Sequence, residues 1–272
     1  MNLNFFFDID GTILPIGMPI PQSALDALWK AKNLGCRLFL SSGRSPHELS
    51  DEIKVFPFDG GVFSAGATVM FRGKTVVKRY FSDEQRAFFL DVADRYGLCW
   101  LLQGPDGTYT TRDGLAFHEE MTIAKYGRKT SFPDFKIVER FPDDKPLIKA
   151  YIMSREGLVL KAREELEGPF HCTDNTTGMD PTIAGEVMAK GASKSSGIRA
   201  LLDYLGDGVE TSVGVGDGEN DLDMIDFCRT GIAMGNACDI LKQHADYICA
   251  DINSDGLADA IEYALKKHDC GR

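Results

Sequence analysis

The sequence predicts an α/β fold: a parallel sheet core with helices, interrupted by an inserted α+β segment. Three observations predict it. Strands and helices alternate from Leu3 to about residue 60 and again from Ser193 onward, the rhythm of right-handed β-α-β crossovers. Four of the five residues from Leu3 to Phe7 are apolar without alternation, as in a strand buried on both faces. Between the two alternating stretches the order of elements becomes irregular.

The elements follow in order. The opening strand runs into Asp8-Ile9-Asp10-Gly11-Thr12, where glycine permits a sharp turn. Pro15 to Pro21 is a loop, and a helix from Ser23 to Leu34 carries Ala24, Leu25, Leu28 and Ala31 on its apolar face, with Gly35 ending it. The strand Cys36–Leu40 leads into Ser41-Ser42-Gly43-Arg44. Ser45 as N-cap and Pro46 at the first helical position then predict a new helix. A short strand from Gly61 precedes a hairpin whose arms, 68–71 and 75–80, flank Arg72-Gly73. Ser82-Asp-Glu-Gln85 is a capping box opening a helix to Tyr96.

The inserted segment spans residues 83–186, leaving 1–82 and 187–272 as the core. Strands are expected at 98–103, 107–111, 146–153, 169–173 and 184–188, with a helix from Ser154 to Leu166. Phe132 to Pro146, with three prolines and many charges, reads as a surface connection. Asp174-Asn175-Thr176-Thr177-Gly178 reads as a turn. Beyond it come a helix from Ser193, the strand Thr211–Val215, a helix through Met224 to Cys228, and the strand Thr230–Met234. A further helix, the strand Tyr247–Cys249 and a helix from Gly256 complete the chain.

With 272 residues, 43% hydrophobic and 26% charged, the chain can bury a proper core. No apolar run approaches the roughly 18 residues of a membrane span, and Asp8 and Asp10 break the N-terminal apolar run, so no secretion signal is expected. A net charge of −11 argues against nucleic acid, which demands basic patches. The seven cysteines are scattered and form no Cys-x-x-Cys, which predicts free thiols in the cytoplasm.

Three polar stations stand just past core strands: Asp8 with Asp10, Ser42, and Asp217 with Asn220 and Asp221. In open α/β sheets ligands bind beyond the carboxyl ends of the strands, so the three can converge, and Lys194 at a helix start can reach the same edge. Oxygen-only donors suit Mg²⁺ and not zinc. A carboxylate can attack phosphorus to give an aspartyl-phosphate. In that scheme Asp8 and Asp217 hold the metal, Ser42 and Lys194 hold phosphoryl oxygens, and Asp10 protonates the leaving alcohol.

These residues carry a family resemblance. Asp8-Ile-Asp10-Gly11-Thr12, Ser42-Gly43-Arg44, Lys194 and Gly216-Asp217-Gly218-Glu219-Asn220-Asp221 resemble the four ordered motifs of the haloacid dehalogenase-like phosphatases. The run through Met224, Gly231–Ala237, Ala245-Asp-Tyr and Asp255-Gly256 is similar to the Cof-type subgroup with a type-2 cap. The resemblance implies a Rossmann-like core and a cap that sets specificity. It implies Asp8 as nucleophile, Asp10 as acid/base, and Asp8, Asp10 (by its carbonyl) and Asp217 as Mg²⁺ ligands. Asn220 and Asp221 would support phosphate, Lys194 or a metal-bound water, which makes Asp221 a further metal-site candidate. Ser42, Gly43, Arg44, Lys194 and Asn220 are the candidate substrate contacts; pairing with a core carboxylate is the other reading of Arg44. The expected substrates are sugar phosphates or similar small phosphorylated metabolites. A phosphomutase, or a phospho-acceptor signalling module, would use the same residues.

Two departures stand out. Ala65-Gly66 occupies a place where the family often has Asn-Gly, and Lys190 also precedes a glycine, although Lys194 is the better motif lysine. Other motifs fail. An EF-hand starting at Asp8 needs Gly and Glu where Ile13 and Pro19 stand; starting at Asp217 it meets Leu222 and Cys228. Gly214-x-Gly216 has Glu219 where a dinucleotide fingerprint needs its third glycine. His47 reads as a surface helix residue. His118-Glu119-Glu120 has the composition of a metal site but reads as a solvated helix face.

Overall fold

The computed structural model describes residues 3–15, 18–127, 135–174 and 179–268. Asn175-Thr176-Thr177-Gly178 and part of the 132–146 connection lie outside the described residues. In chain order the elements are β1 (Asn4–Phe7), α1 (Gln22–Asn33), β2 (Arg37–Ser41), α2 (Asp51–Lys54), β3 (Gly60–Phe63), β4 (Thr68–Phe71) and β5 (Lys74–Lys78). Next come α3 (Asp83–Arg95), β6 (Cys99–Gly104), β7 (Gly107–Thr110), α4 (Arg112–Tyr126), β8 (Lys136–Ile137), β9 (Lys149–Met153), α5 (Val159–Leu166), β10 (Phe170–Asp174) and β11 (Ala184–Ala189). The chain closes with α6 (Lys194–Leu205), β12 (Ser212–Gly216), α7 (Leu222–Phe227), β13 (Thr230–Ala233), α8 (Asp239–His244), β14 (Tyr247–Ile248) and α9 (Gly256–Lys267).

These elements pack as two units. The first comprises Met1–Gly43, Asp51–Val77 and Ser193–Arg272; the second comprises Arg44–Ser50 and Lys78–Ala192. The second thus begins and ends a few residues outside the expected 83–186 and recruits a distant segment at 44–50.

In the first unit an eight-stranded sheet runs β14-β13-β12-β1-β2-β3-β4-β5. β14 through β3 are parallel, and β4 turns back antiparallel on β3. β1 lies at the centre, and all four of its residues are buried. Its apolar run Phe5–Phe7 follows from that position, because neither face meets water. The Phe5 and Phe7 rings stack at 5.5 Å, and Phe6 stacks on Phe39 of β2 at 5.3 Å. α1 buries Ala24, Leu28 and Ala31, at the 3- and 4-residue spacing of one helical face, and packs against α9. α6 packs against α7 and against β3 and β4. The β4–β5 hairpin turns at Arg72 and Gly73, both with positive φ, as a primed turn requires.

The second unit is a six-stranded, mostly antiparallel sheet in the order β10-β11-β9-β6-β7-β8, with only β7 and β8 parallel. Successive strand residues fall to opposite faces. Leu102, Ala150, Ile152 and Val187 join Phe89, Val92, Val159 and Ala162 of α3 and α5 in one core. Leu101, Met153 and Ala184 join Phe117 and Met121 of α4 in another.

α4 and the short β8 are not among the expected elements of the inserted segment, and the structure differs from the sequence reading at three further places. The helix expected at Ser45-Pro46 is a single 3₁₀ turn, Pro46–Glu48, ended by extended backbone at Leu49, before the short α2. α5 starts at Val159 rather than Ser154, because Ser154 Oγ accepts the Glu156 and Leu158 N–H groups and holds a turn there. His118 is the third, and a correction: it is 4% exposed, not solvated. Its ring meets Phe135 and Tyr151 edge-on, each at 6.1 Å, and burial pushes its pKa down to about 4. The solvated-face reading fails because the sheet-facing side of α4 includes position 118 beside Phe117 and Met121.

Candidate active site

β1 and β12 lie side by side with Phe7 opposite Val215, and the Asp8 N–H extends the ladder to the Val215 carbonyl at 2.9 Å. Asp8 and Asp217 therefore leave adjacent parallel strands at their carboxyl ends. The sheet grows from β1 toward β2 on one side and from β12 toward β13 on the other, so this is a topological switch point.

Asp8, Asp217 and Asp221 each place a carboxylate oxygen within 4.8 Å of the others. Lys194 donates to Asp8 Oδ1 at 2.6 Å and also to Asp221 Oδ1. It opens α6, whose N-cap Ser193 accepts the Ser196 N–H at 3.2 Å, and it is 2% exposed. Asp221 Oδ2 accepts the N–H groups of Asp217 and Gly218 at 3.0 and 3.1 Å, so both its oxygens are engaged. Thr12 Oγ1 donates to Asp217 Oδ1 at 2.9 Å. Gly11, at φ +86°, packs so closely that a Cβ there would lie 2.2 Å from Asp217 Oδ2. Only glycine meets both demands.

Three carboxylates against one ammonium leave an excess of negative charge. Burial, then the charge of Asp221, raises the Asp8 carboxyl well above its ordinary value, with Lys194 opposing them. The same two causes push Asp217 up to about 7. Burial alone would lower Lys194, but Asp221 and Asp8 carry it well above its usual value. A small cluster of hard oxygen donors short of positive charge fits Mg²⁺.

The other expected residues are placed less centrally. Asp10 is exposed, on a loop braced by the Gly11 N–H to Leu14 carbonyl bond at 3.0 Å. Ser42 is buried just past β2; its N–H donates to the Val62 carbonyl and its own carbonyl accepts the Ala65 N–H. Ser64 and Ala65 both sit at φ +51°, and Gly66 at +91° would carry a Cβ 1.9 Å from the Ser193 carbonyl oxygen. That loop joins the Ser42 turn to the start of the Lys194 helix. Asn220 is half-buried in the turn before α7. Gly43 is the last residue of its stretch of the first unit, and Arg44 belongs to the second, where it donates to the Glu48 carbonyl at 3.2 Å. Lys190 is exposed.

Two contributors escaped the sequence reading of roles. Thr12 was visible only as part of its motif. Asn236 donates to the Gly11 carbonyl at 2.8 Å and accepts the Ile252 N–H at 3.0 Å, tying two loops to the Asp10 turn. Its signal was its place within Gly231–Ala237.

Fold and cluster together define an α/β enzyme core with an acidic, lysine-bridged centre at the switch point of its sheet. Residues 5–261 match the family model of the haloacid dehalogenase-like hydrolases, and the chain belongs to that family. It is 27% identical over 259 residues to the 5-amino-6-(5-phospho-D-ribitylamino)uracil phosphatase YcsE of Bacillus subtilis, covering 94% of this chain and 93% of that one. It is 25% identical over 262 residues to a phosphoglycolate phosphatase of Methanobrevibacter smithii, covering 94% and 95%. Among solved structures, the phosphatase BT1666 of Bacteroides thetaiotaomicron superposes with a TM-score of 0.82 at 25% identity, covering 99% of this chain and 96% of that one. Family and relatives support phosphatase activity for this chain.

Proposed function

We propose that the protein is a Mg²⁺-dependent phosphomonoester hydrolase working through an aspartyl-phosphate on Asp8. The observation that carries the reading is the buried Asp8–Lys194–Asp221 bridge beside Asp217. Lys194 fixes one Asp8 oxygen and leaves the other to attack phosphorus. As the Asp8–phosphorus bond forms, the ester bond breaks and Asp10 gives its proton to the leaving alkoxide. Asp10 then takes a proton from water, which attacks the acyl phosphate and releases Asp8 and inorganic phosphate. The exposure of Asp10 suits a group that must meet first a leaving alkoxide and then an incoming water.

Ser42 and Lys194 hold phosphoryl oxygens, with Arg44 and Asn220 as further substrate contacts. Asp8, Asp217 and the Asp10 carbonyl would hold Mg²⁺, which when bound would supply positive charge against the repulsion of an anionic nucleophile and an anionic ester. Asp221 stands behind them, its oxygens given to Lys194 and two backbone amides. The substrates are sugar phosphates or similar small phosphorylated metabolites, a reading supported by the phosphoglycolate and ribityl phosphate named for the relatives. The six described cysteines, all free, suit a cytoplasmic site of action.

A phosphate-release screen over sugar, polyol, nucleotide and cofactor phosphates, with and without Mg²⁺, finds the substrate. Asp8→Asn abolishes release from an aryl phosphate, and ordinary turnover by that variant would sink the mechanism. Asp10→Asn accumulates acid-quenchable phosphoenzyme with activated leaving groups.

A further inference from the structure

The residue that follows Asp10 is the most pliable of its turn. Gly11 stands at φ +86° without a side chain, as the closeness of Asp217 demands, and glycine is the residue least able to hold its own backbone in place. Before it, the Asp8 N–H fixes the chain on the Val215 carbonyl. After it, the Thr12 hydroxyl fixes the chain on Asp217. Between these points Asp10 moves with the Gly11 backbone, so whatever holds Gly11 sets where the Asp10 carboxyl is aimed.

Asn236 holds it. Its Nδ2 donates to the Gly11 carbonyl at 2.8 Å, and its Oδ1 accepts the Ile252 N–H at 3.0 Å. The side chain is exposed, so water could satisfy both ends; instead it gives them to the backbones of two other loops. Its own loop has a firm base. The Gly235 N–H donates to the Ala250 carbonyl at 3.0 Å, and the Cys238 N–H to the Asp217 carbonyl at 2.9 Å. The Ala250 N–H in turn donates to Asp259 Oδ2 of α9 at 3.0 Å. Asparagine suits the task because one planar carboxamide offers both a donor and an acceptor. All of these residues belong to the first unit.

We propose that Asn236 is a positioning residue: by holding the Gly11 carbonyl it keeps the Asp10 carboxyl in line to protonate the leaving oxygen. The inference rests on the proposed reading, in which Asp10 is the acid and base. As Asp8 bonds to phosphorus, the ester bond breaks; its electron pair stays on the leaving oxygen, which takes the Asp10 proton. Asn236 touches none of these atoms. Without it the Gly11 peptide slackens and Asp10 with it, while Asp8 stays on the sheet ladder and against Lys194.

The experiment compares kcat/KM for phenyl phosphate and for 2,4-dinitrophenyl phosphate in the full chain at saturating Mg²⁺. Dinitrophenolate leaves without a proton, phenolate gains from one, and kcat/KM reports the steps up to the phosphoenzyme. Asn236→Ala lowers the value for phenyl phosphate about 10- to 100-fold, the size expected of a misplaced acid. It lowers the value for the dinitrophenyl ester by no more than about threefold. With that ester the acid-quenched variant also holds more phosphoenzyme than the parent, because Asp10 is misplaced for the attacking water too. Asn236→Asp keeps the acceptor for Ile252 and loses only the donor to Gly11; its added charge acts on both dianionic esters alike, so the same gap between them opens. In an Asp10→Asn background Asn236→Ala widens the gap no further, since one acts through the other. Equal losses for the two esters in the folded variants, or no loss, or a gap that widens again without the Asp10 carboxyl, overturns the inference. If Asp10→Asn opens the gap and the Asn236 variants do not, the inference falls and the reading of Asp10 stands. If Asp10→Asn opens no gap, Asp10 is not the acid and both fall. If Asp8→Asn is active, the phosphatase reading falls first.

Discussion

Replacing Lys194 by methionine isolates what the buried lysine does. The thioether fills nearly the same space, so the packing at the start of α6 is kept and only the ammonium is lost. Asp8 and Asp221, both buried, then face each other without a cation. Removing one partner of a buried ion pair costs about 3–5 kcal/mol. At about 2–4 °C per kcal/mol for a domain of this order of size, melting falls by roughly 6–20 °C. The loss depends on pH, and its sign can be worked out. Lys194 is the influence that lowers the Asp8 carboxyl, so without it the folded-state value rises further above the unfolded one. An acid whose folded value is raised is least harmful below its unfolded value, and its destabilisation grows as pH climbs toward the folded value. Metal-free Lys194→Met is therefore closer to the parent protein at pH 5 than at pH 8. Asp221→Asn in the same chain removes one of the stranded charges and recovers part of the loss. Thermal melts at the two pH values in a chelator check each step. A metal-free variant as stable as the parent at pH 8 would refute the account of the cluster.

Three further outcomes are expected. Asp217→Asn stabilises the metal-free protein at pH 8 by up to about 4 kcal/mol but not at pH 4, because a carboxyl raised to about 7 is strained only once ionised; urea titrations without metal measure it, and activity falls in the same variant. His118→Leu removes an acid weakness: the parent loses up to about 3 kcal/mol relative to the variant as pH falls from about 6.5 toward 4, because the buried imidazole must ionise. Ala65→Asn stabilises by roughly 0.5–1 kcal/mol, since Asn tolerates the left-handed backbone (φ +51°, ψ +43°) better than Ala; unchanged denaturation midpoints would count against strain at that loop.

The core was legible because its signals are local. An apolar run followed by Asp8, Gly11 and Thr12 says strand and turn within a dozen residues, and the Gly216–Asp221 stretch says the same again. Both were placed at strand ends by the pattern alone, and the sheet brings them together as adjacent parallel strands demand. The packing of residues 44–50 with the second unit was illegible because the buried Glu48 carboxylate accepts from Gln103 and Thr108, 55 and 60 positions away, and nothing near Ser45 announces them. His118 misled because a histidine beside two glutamates reads as polar, while the periodicity of α4 turns it inward with Phe117 and Met121 and leaves Glu120 exposed. Ala65 gave only a chemical clue, a missing amide, when the property at stake is a backbone conformation. Asn236 was seen as part of a stretch, but its grip on the Gly11 carbonyl depends on two loops that meet only in the folded chain.

Lys194 and Asp8 are separated by 186 positions along the chain. Closing so long a loop is entropically expensive and slow, so no early, locally folded fragment contains the centre. The interrupted topology eases that closure: once the second unit has condensed, most of the intervening chain is no longer slack. The acidic centre is thus expected to form only when both halves of the core sheet have come together. Its two strongest repulsions, Asp8 and Asp217 against Asp221, arise in the same event that brings Lys194 between Asp8 and Asp221. A nascent chain holding only its N-terminal half carries Asp8 without the neighbours that raise its carboxyl in the folded protein.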